Sequence, residues 1–418
     1  MLNEDDKIDI AQSYAQSKSS GFSSSESTKK AMKAKSQPSV RTTLRRACTT
    51  LQQIDDGSTG LFITEDLNAT IALESIVGFM KELKTCNNDL FTIQATTRGK
   101  ALPLTDPLGE RFLRLCGNQS SSITLAYPLH NLNPWAHAFL KAVWTAKATD
   151  PNFQPTAPYS ANVHLRFNSL NRVIAALRSA ITTESFRKDE EKWTKRTTRA
   201  RARFFRVFKN ALAQHARVLV IRIDFGLKRH EYANPKEPLA LDTPEESRDG
   251  LKEALLKRLN FKEIDTAREK TLRQVRETFG ASLLGYIWKL EFGARKGFHY
   301  HCVFLLNGSV HRQDISIGNQ IGKFWQRYAP HGLGLFWNCN AHRQQYKFPA
   351  LGTIRYHESG HWRGLNHIAD YLSKPDFLAS LKLPAGRRTF GSSELHGGPK
   401  VSRGPQRSKT VTQGFTPV

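Results

Sequence analysis

Three residues in one short stretch have the types and spacing to hold a metal: Glu291, His299 and His301 in Glu291–Leu306, EFGARKGFHYHCVFLL. The pattern predicts a β-hairpin. Leu284–Glu291 reads as an apolar strand, Gly293 and Gly297 punctuate a turn tipped by Arg295 and Lys296, and Phe298–Leu306 returns. Side chains alternate along a strand, so His299 and His301 point one way while Phe298, Tyr300, Cys302 and Phe304 point the other. Folding about residue 295 brings Glu291 opposite His299. Two imidazoles and a carboxylate on one face can ligate a divalent cation and leave coordination positions open for a substrate. The same spacing also suits a wet strand face that merely tolerates histidine. This stretch does not carry the helical zinc-protease motif HExxH.

A second group lies downstream. Arg363–Lys374, RGLNHIADYLSK, reads as a helix stopped by Pro375, with Leu365, Ile368, Ala369 and Leu372 as its buried stripe. His367, Tyr371 and Lys374 share another face. A tyrosine one turn from a lysine can act as a nucleophile, because the ammonium favours phenolate and can hold a phosphate under attack. The plainer assignments are a core-edge aromatic for Tyr371, an ion pair with Asp370 for Lys374 and a surface position for His367.

These groups must be positioned by the elements around them. Arg217–Phe225, RVLVIRIDF, is a strand of β-branched residues, and Pro244–Phe279 reads as helical. The hairpin follows, then an amphipathic helix over Gln313–Tyr328 and short strands at Leu335–Cys339 and Leu351–Tyr356. Strand, helix, strand, strand, helix, strand is the split β-α-β-β-α-β order of ferredoxin-like antiparallel sheets, an α+β class. It puts the histidine strand near the sheet centre, with helices on one face and the other face offered to a substrate. Upstream, Lys192, Lys195, Arg196, Arg199, Arg203 and Arg206 fall on one side of a predicted helix, with Trp193, Ala200, Phe204, Phe208 and Ala211 on another. Packed by its aromatic stripe, that helix presents a basic ridge suited to phosphates. Arg387 and Arg388, in the short basic Gly386–Gly391 stretch, and Arg295 and Lys296 at the hairpin tip are further candidate DNA contacts.

Composition agrees with a polyanionic partner. The chain has 418 residues with 62 Lys+Arg against 37 Asp+Glu, a formal net charge of +25. Such an excess favours nucleic acid. The five cysteines form no CxxC pair, which argues against a disulfide scaffold or a cysteine-ligated zinc and fits a reducing cytosol. No run of about 18 apolar residues is present, so membrane spanning and export are not expected. The organisation read from sequence is a disordered tail over 1–45, a mostly helical region of unassigned role over 46–190, a catalytic domain over 191–392 and a disordered tail over 393–418.

The His299-Tyr300-His301 strand, the upstream Glu291 and the later Tyr371-Leu-Ser-Lys374 resemble the HUH-type rolling-circle replication initiation endonucleases. The surrounding wording, WKLEFGARKGFHYHCVFLLNG and IADYLSKPD, is most similar to the branch found with inoviruses (filamentous phages) and related prophages. The resemblance covers roughly residues 217–390. It implies that His299, His301 and Glu291 hold one Mg²⁺ or Mn²⁺. Tyr371 would attack the scissile phosphate to give a 5′-phosphotyrosine and a free 3′-OH, and Lys374 would steady the phosphate. The implied partner is a replication origin, single-stranded or as supercoiled duplex, in the cytoplasm of a bacterial host whose helicase and polymerase would follow. Some relatives carry a second active tyrosine on this helix; here position 367 is His and position 375 is Pro. A non-catalytic origin-binding regulator, and a transposase or relaxase using the same chemistry, are the alternative readings.

Overall fold

A computed structural model describes residues 49–53, 59–63, 66–95, 101–117, 123, 126–157, 162–227, 256, 261–293, 297–346, 350–373 and 375–394. The predicted tail over 1–45, all but the first two residues of the predicted tail over 393–418, the helical reading of 244–260 apart from Leu256, and the residues Arg295, Lys296 and Lys374 lie outside these. Elements are numbered in chain order: β1 (Thr49–Gln53), β2 (Thr59–Ile63), α1 (Asp66–Leu83), β3 (Phe91–Ala95), β4 (Ala101–Thr105), α2 (Pro107–Cys116), β5 (His130–Leu132), α3 (Pro134–Thr149), α4 (Val163–Thr182) and α5 (Glu184–Gln214). Then come β6 (Arg217–Leu227), α6 (Phe261–Phe279), β7 (Leu283–Gly293), β8 (Gly297–Asn307), α7 (Asp314–Tyr328), β9 (Gly334–Asn338), β10 (Gly352–Arg355), α8 (Trp362–Ser373), β11 (Ala379–Leu381) and β12 (Phe390–Ser392).

The fold is α+β, built on an antiparallel sheet. Its main path runs β10-β6-β8-β7-β12, and β9 pairs with the far half of β6. Restricted to the β-α-β-β-α-β unit, the spatial order is β9-β6-β8-β7, the ferredoxin-like arrangement expected from the element order. The histidine strand β8 is central, flanked by β6 and β7.

Both faces of this sheet carry helices, which corrects the expectation of one open face. Phe298, Tyr300, Cys302, Phe304 and Leu306 pack with Ile264, Val275, Ile321 and Trp325 of α6 and α7. On the opposite face Val218, Val220, Ile287, Val303 and Leu305 pack under Phe204 and Phe208 of α5 and Leu365 and Leu372 of α8. A sheet buried on both sides explains why β6 and β8 read as nearly continuous apolar runs. On the α5/α8 face, the apolar half of each strand gives way to a polar half: Val220 to Arg222 and Asp224, Ile287 to Lys289 and Glu291, Val303 to His301 and His299. The helices anchor on the apolar half. The polar half is the site.

The region before α5 has its own core, in which Phe79, Phe112, Phe139 and Phe167 are all buried. It is mostly helical, with the β1–β2 and β3–β4 hairpins added. It is tied to the sheet domain in two ways. Strand β5 pairs with β11, and α5 runs continuously from Phe186 in the first core to Phe204 and Phe208 in the third. The Thr183 hydroxyl caps that helix by accepting from the Phe186 amide at 3.2 Å.

Candidate metal and tyrosine site

The hairpin register is the one that alternation demands. Glu291 pairs with His299, Lys289 with His301, and on the other side of β8 Asp224 pairs with His301. Gly297 enters β8 at φ 66°, a left-handed conformation that suits glycine, and its carbonyl lies 3.1 Å from His299 Nδ1. That contact turns His299 Nε2 toward Glu291 Oε2, 3.4 Å away. His301 Nε2 lies 3.4 Å from the same oxygen. One donor atom from each of Glu291, His299 and His301 falls within 4.8 Å of the others.

These residues fit a divalent cation. Two imidazole nitrogens and a carboxylate oxygen are an accepted donor set. The second carboxylate oxygen, Glu291 Oε1, is buried with no hydrogen-bond partner among the described residues, a costly state that ligation would relieve. His301 Nδ1 sits 2.8 Å from Asp224 Oδ1, the carboxylate–histidine pairing that fixes a ligand's ring and raises its basicity.

The electrostatics of the metal-free site point the same way. Burial pushes the His301 imidazolium toward neutrality, but the Asp224 and Glu291 carboxylates outweigh it and lift its pKa to about 9. Burial likewise raises both carboxyls. His301 and His299 nevertheless hold Glu291 well below the carboxylate range, and His301 and Arg222 do the same for Asp224. Without metal, the two ionised acids are balanced by the protonated His301 and the buried Arg222 guanidinium, and a bound cation would take the place of the His301 proton.

Tyr371 completes the cluster from α8. Its hydroxyl is 3.3 Å from His301 Nε2, and its ring meets the His301 ring edge-on at 4.9 Å. The buried Arg222 guanidinium stacks 4.5 Å over the Tyr371 ring. Burial raises the phenol well above its ordinary pKa, and the Glu291 and Asp224 charges raise it further against Arg222. In the metal-free site Tyr371 is therefore a neutral phenol. Helix α8 is held on α5 by Arg201, which donates to Asn366 Oδ1 at 2.6 Å and to Asp370 Oδ1 at 3.1 Å. Asp370, a sequence-level partner for Lys374, is thus engaged by Arg201. Beyond the helix, Asp376 accepts a 2.6 Å bond from buried Lys289, whose residue pairs across the strands with His301.

Of the predicted DNA contacts, Lys192, Arg199, Arg206 and Arg388 are exposed. Lys195 pairs with Glu191. Arg196 donates to Thr389 Oγ1 at 3.1 Å, Arg203 to Ser392 Oγ at 2.7 Å and Arg387 to Asp265 at 2.8 Å, so these three also lock the C-terminal strand and α6 in position. Sequence reasoning missed Arg222, Asp224, Lys289 and Arg201. The first three were findable, since they follow the same alternation as the histidine pair, applied to the strands on either side.

The fold and site define an α+β protein with a ferredoxin-like sheet and a two-histidine, one-carboxylate cluster beside a buried tyrosine. Residues 181–393, just over half of the chain and including every residue of the site, match the YagK/YfjJ C-terminal domain, and the chain belongs to that family. No curated protein and no solved structure matches it.

Proposed function

We propose that this protein is a metal-dependent, tyrosine-using DNA endonuclease and strand transferase of the HUH type, acting as a rolling-circle replication initiator. The observation that carries the reading is the Tyr371 hydroxyl 3.3 Å from His301 Nε2, at the edge of a three-ligand cluster. A nucleophile and a metal grip on one phosphate require that adjacency. A divalent cation bound there supplies a Lewis acid for a non-bridging phosphate oxygen and neutralises the two carboxylates that keep the phenol protonated.

The chain's own residues do the rest. His299 and His301 present Nε2, held by the Gly297 carbonyl and by Asp224. Arg222 fixes the tyrosine ring and offsets charge on its oxygen. The Tyr371 oxygen forms a bond to phosphorus as the P–O3′ bond breaks; the phenolic proton passes to solvent and the 3′ oxygen takes one up. The phosphodiester energy is kept in the protein–DNA ester, so a later 3′-OH can reverse the step. Lys374, three residues beyond Tyr371, is assigned to steadying the phosphate under attack on the resemblance alone.

The test is incubation with Mn²⁺ and either single-stranded or supercoiled DNA carrying the gene's own flanking sequence, followed by a denaturing gel. A slow-migrating protein–DNA band that disappears with Tyr371→Phe and with chelator is expected. Binding without any adduct on either substrate would favour the non-catalytic regulator instead.

A further inference from the structure

A cleft of ≈ 2140 Å³ whose lining includes none of Glu291, His299, His301 and Tyr371 opens where α3 and α4 of the helical region face α5, α6 and the segment before β12. It exceeds the roughly 300–1,000 Å³ of a small-molecule site. Its charge is lopsided once internal pairs are removed. Asp265 and Glu269 are both taken by Arg268 and Arg387, Asp150 by Arg172 and Asp376 by Lys289. That leaves Lys141, Lys192, Arg199, Arg273 and Arg388 exposed on the walls, with no ion pair among the described residues, against exposed Asp189. These five cations come from α3, α5, α6 and the segment before β12, so no single helix's solvated face explains them. Arg203 and Arg276 also line the cleft, bonded to hydroxyl groups that leave their charge intact, while Arg196 beside them is shared between Thr389 and the Asp376 carboxylate 4.0 Å away. Half-buried Tyr127, Trp144, Trp193 and Tyr286 put aromatic surface between the charges.

We propose that this cleft is a track for one single strand of nucleic acid. Phosphates would run along the cations while bases lie against the aromatic walls, the combination that serves sequence-tolerant single-strand binding. An acidic peptide would satisfy the charge but leave the aromatic walls without a role. One contact links the cleft to the proposed chemistry: Asp376, on its wall, lies five residues beyond Tyr371 and accepts from Lys289, which pairs with His301 across the strands. The inference rests on the nucleic-acid reading above for its choice of polyanion, and it gives the helical region a task, since that region supplies Lys141 and Trp144.

The test is fluorescence anisotropy of the full chain with labelled oligo-dT of about 16 nucleotides. The variant is Lys141→Glu/Arg199→Glu/Arg273→Glu, one exposed change in each of three elements. Three lost phosphate contacts lower the salt slope by about 2 and weaken binding about a hundredfold near 0.1 M salt. The control Lys188→Glu/Arg312→Glu/Arg327→Glu, with the same charge change outside the cleft, is expected to lose much less. In parallel, ultraviolet cross-linking of wild-type protein to the oligonucleotide is expected to mark peptides from α3 and α6, a readout independent of how the variant folds. Equal losses in variant and control, cross-links confined to other elements, duplex bound as tightly as single strand, or poly-glutamate competing better than oligo-dT would each overturn the proposal. If binding follows the cleft but no tyrosine adduct forms on any substrate, the nuclease reading fails and the track stands. If adducts form while binding ignores these cations, the track alone fails.

Discussion

Asp224→Asn separates two things that one carboxylate does. With the His301 pKa at about 9 in the metal-free site, ligation at pH 7 must expel a proton held by roughly a hundred to one. That lowers the apparent metal affinity about a hundredfold. Mn²⁺ affinity of the wild-type chain should therefore rise about thirtyfold from pH 7 to about pH 8.5. Removing the Asp224 charge weakens the proton's hold, which favours the metal. It also removes the 2.8 Å anchor on Nδ1 that aims Nε2 at the site, a loss worth about 10–100-fold. At pH 7 the two effects offset one another; toward pH 8.5 the loss of the anchor dominates. The measurement is free Mn²⁺ by electron paramagnetic resonance across the titration at both pH values. Wild type should show the steeper pH dependence, and the variant should fall furthest behind at the higher pH. A flat wild-type profile, or a variant equal to wild type near pH 8.5, would refute the assignment of Asp224 as the orienting partner of a ligating histidine.

Other outcomes follow from the same geometry. In chelator, a histidine with a raised pKa contributes stability that is full below its unfolded value of about 6.5 and is lost as pH rises through about 9. Urea unfolding should accordingly show up to about 3 kcal/mol lost between those pH values in wild type, and a flatter profile in His301→Gln. Lys289→Met leaves the Asp376 carboxylate without its 2.6 Å partner and should cost about 3–5 kcal/mol in denaturant melts, while Lys289→Met/Asp376→Leu recovers much of it. Gly322 of α7 lies where an added Cβ would run into the Phe336 ring of β9. Gly322→Ala should therefore destabilise by about 1–3 kcal/mol, outweighing the gain in helix propensity of about 1 kcal/mol, as thermal melts would show.

Much of this architecture is legible in the sequence because it rests on periodicity. The Glu291–His299 register follows from two glycines and a two-residue repeat, and α8 from its Leu365–Leu372 stripe and Pro375. The helix cover on both faces was harder to see, since His299, His301, Glu291 and Asp224 make strand ends look solvent-facing when they line a polar pocket under α8. The ties between distant segments were not legible either. The β5–β11 pairing, the Lys289–Asp376 clamp and the Arg201–Asp370 contact join residues 87 to 251 positions apart only after folding. No local propensity encodes such closures.

The central claim is that Tyr371 is the atom source for a covalent bond to DNA, on a phosphate held beside Glu291, His299 and His301. Its most direct test is to digest any Mn²⁺-dependent protein–DNA adduct and identify the modified peptide by mass spectrometry. The account predicts a nucleotide phosphate on Tyr371, in the peptide containing IADYLSK, and no adduct from Tyr371→Phe. A phosphate on any other residue, or strand cleavage that persists undiminished in Tyr371→Phe, would contradict it.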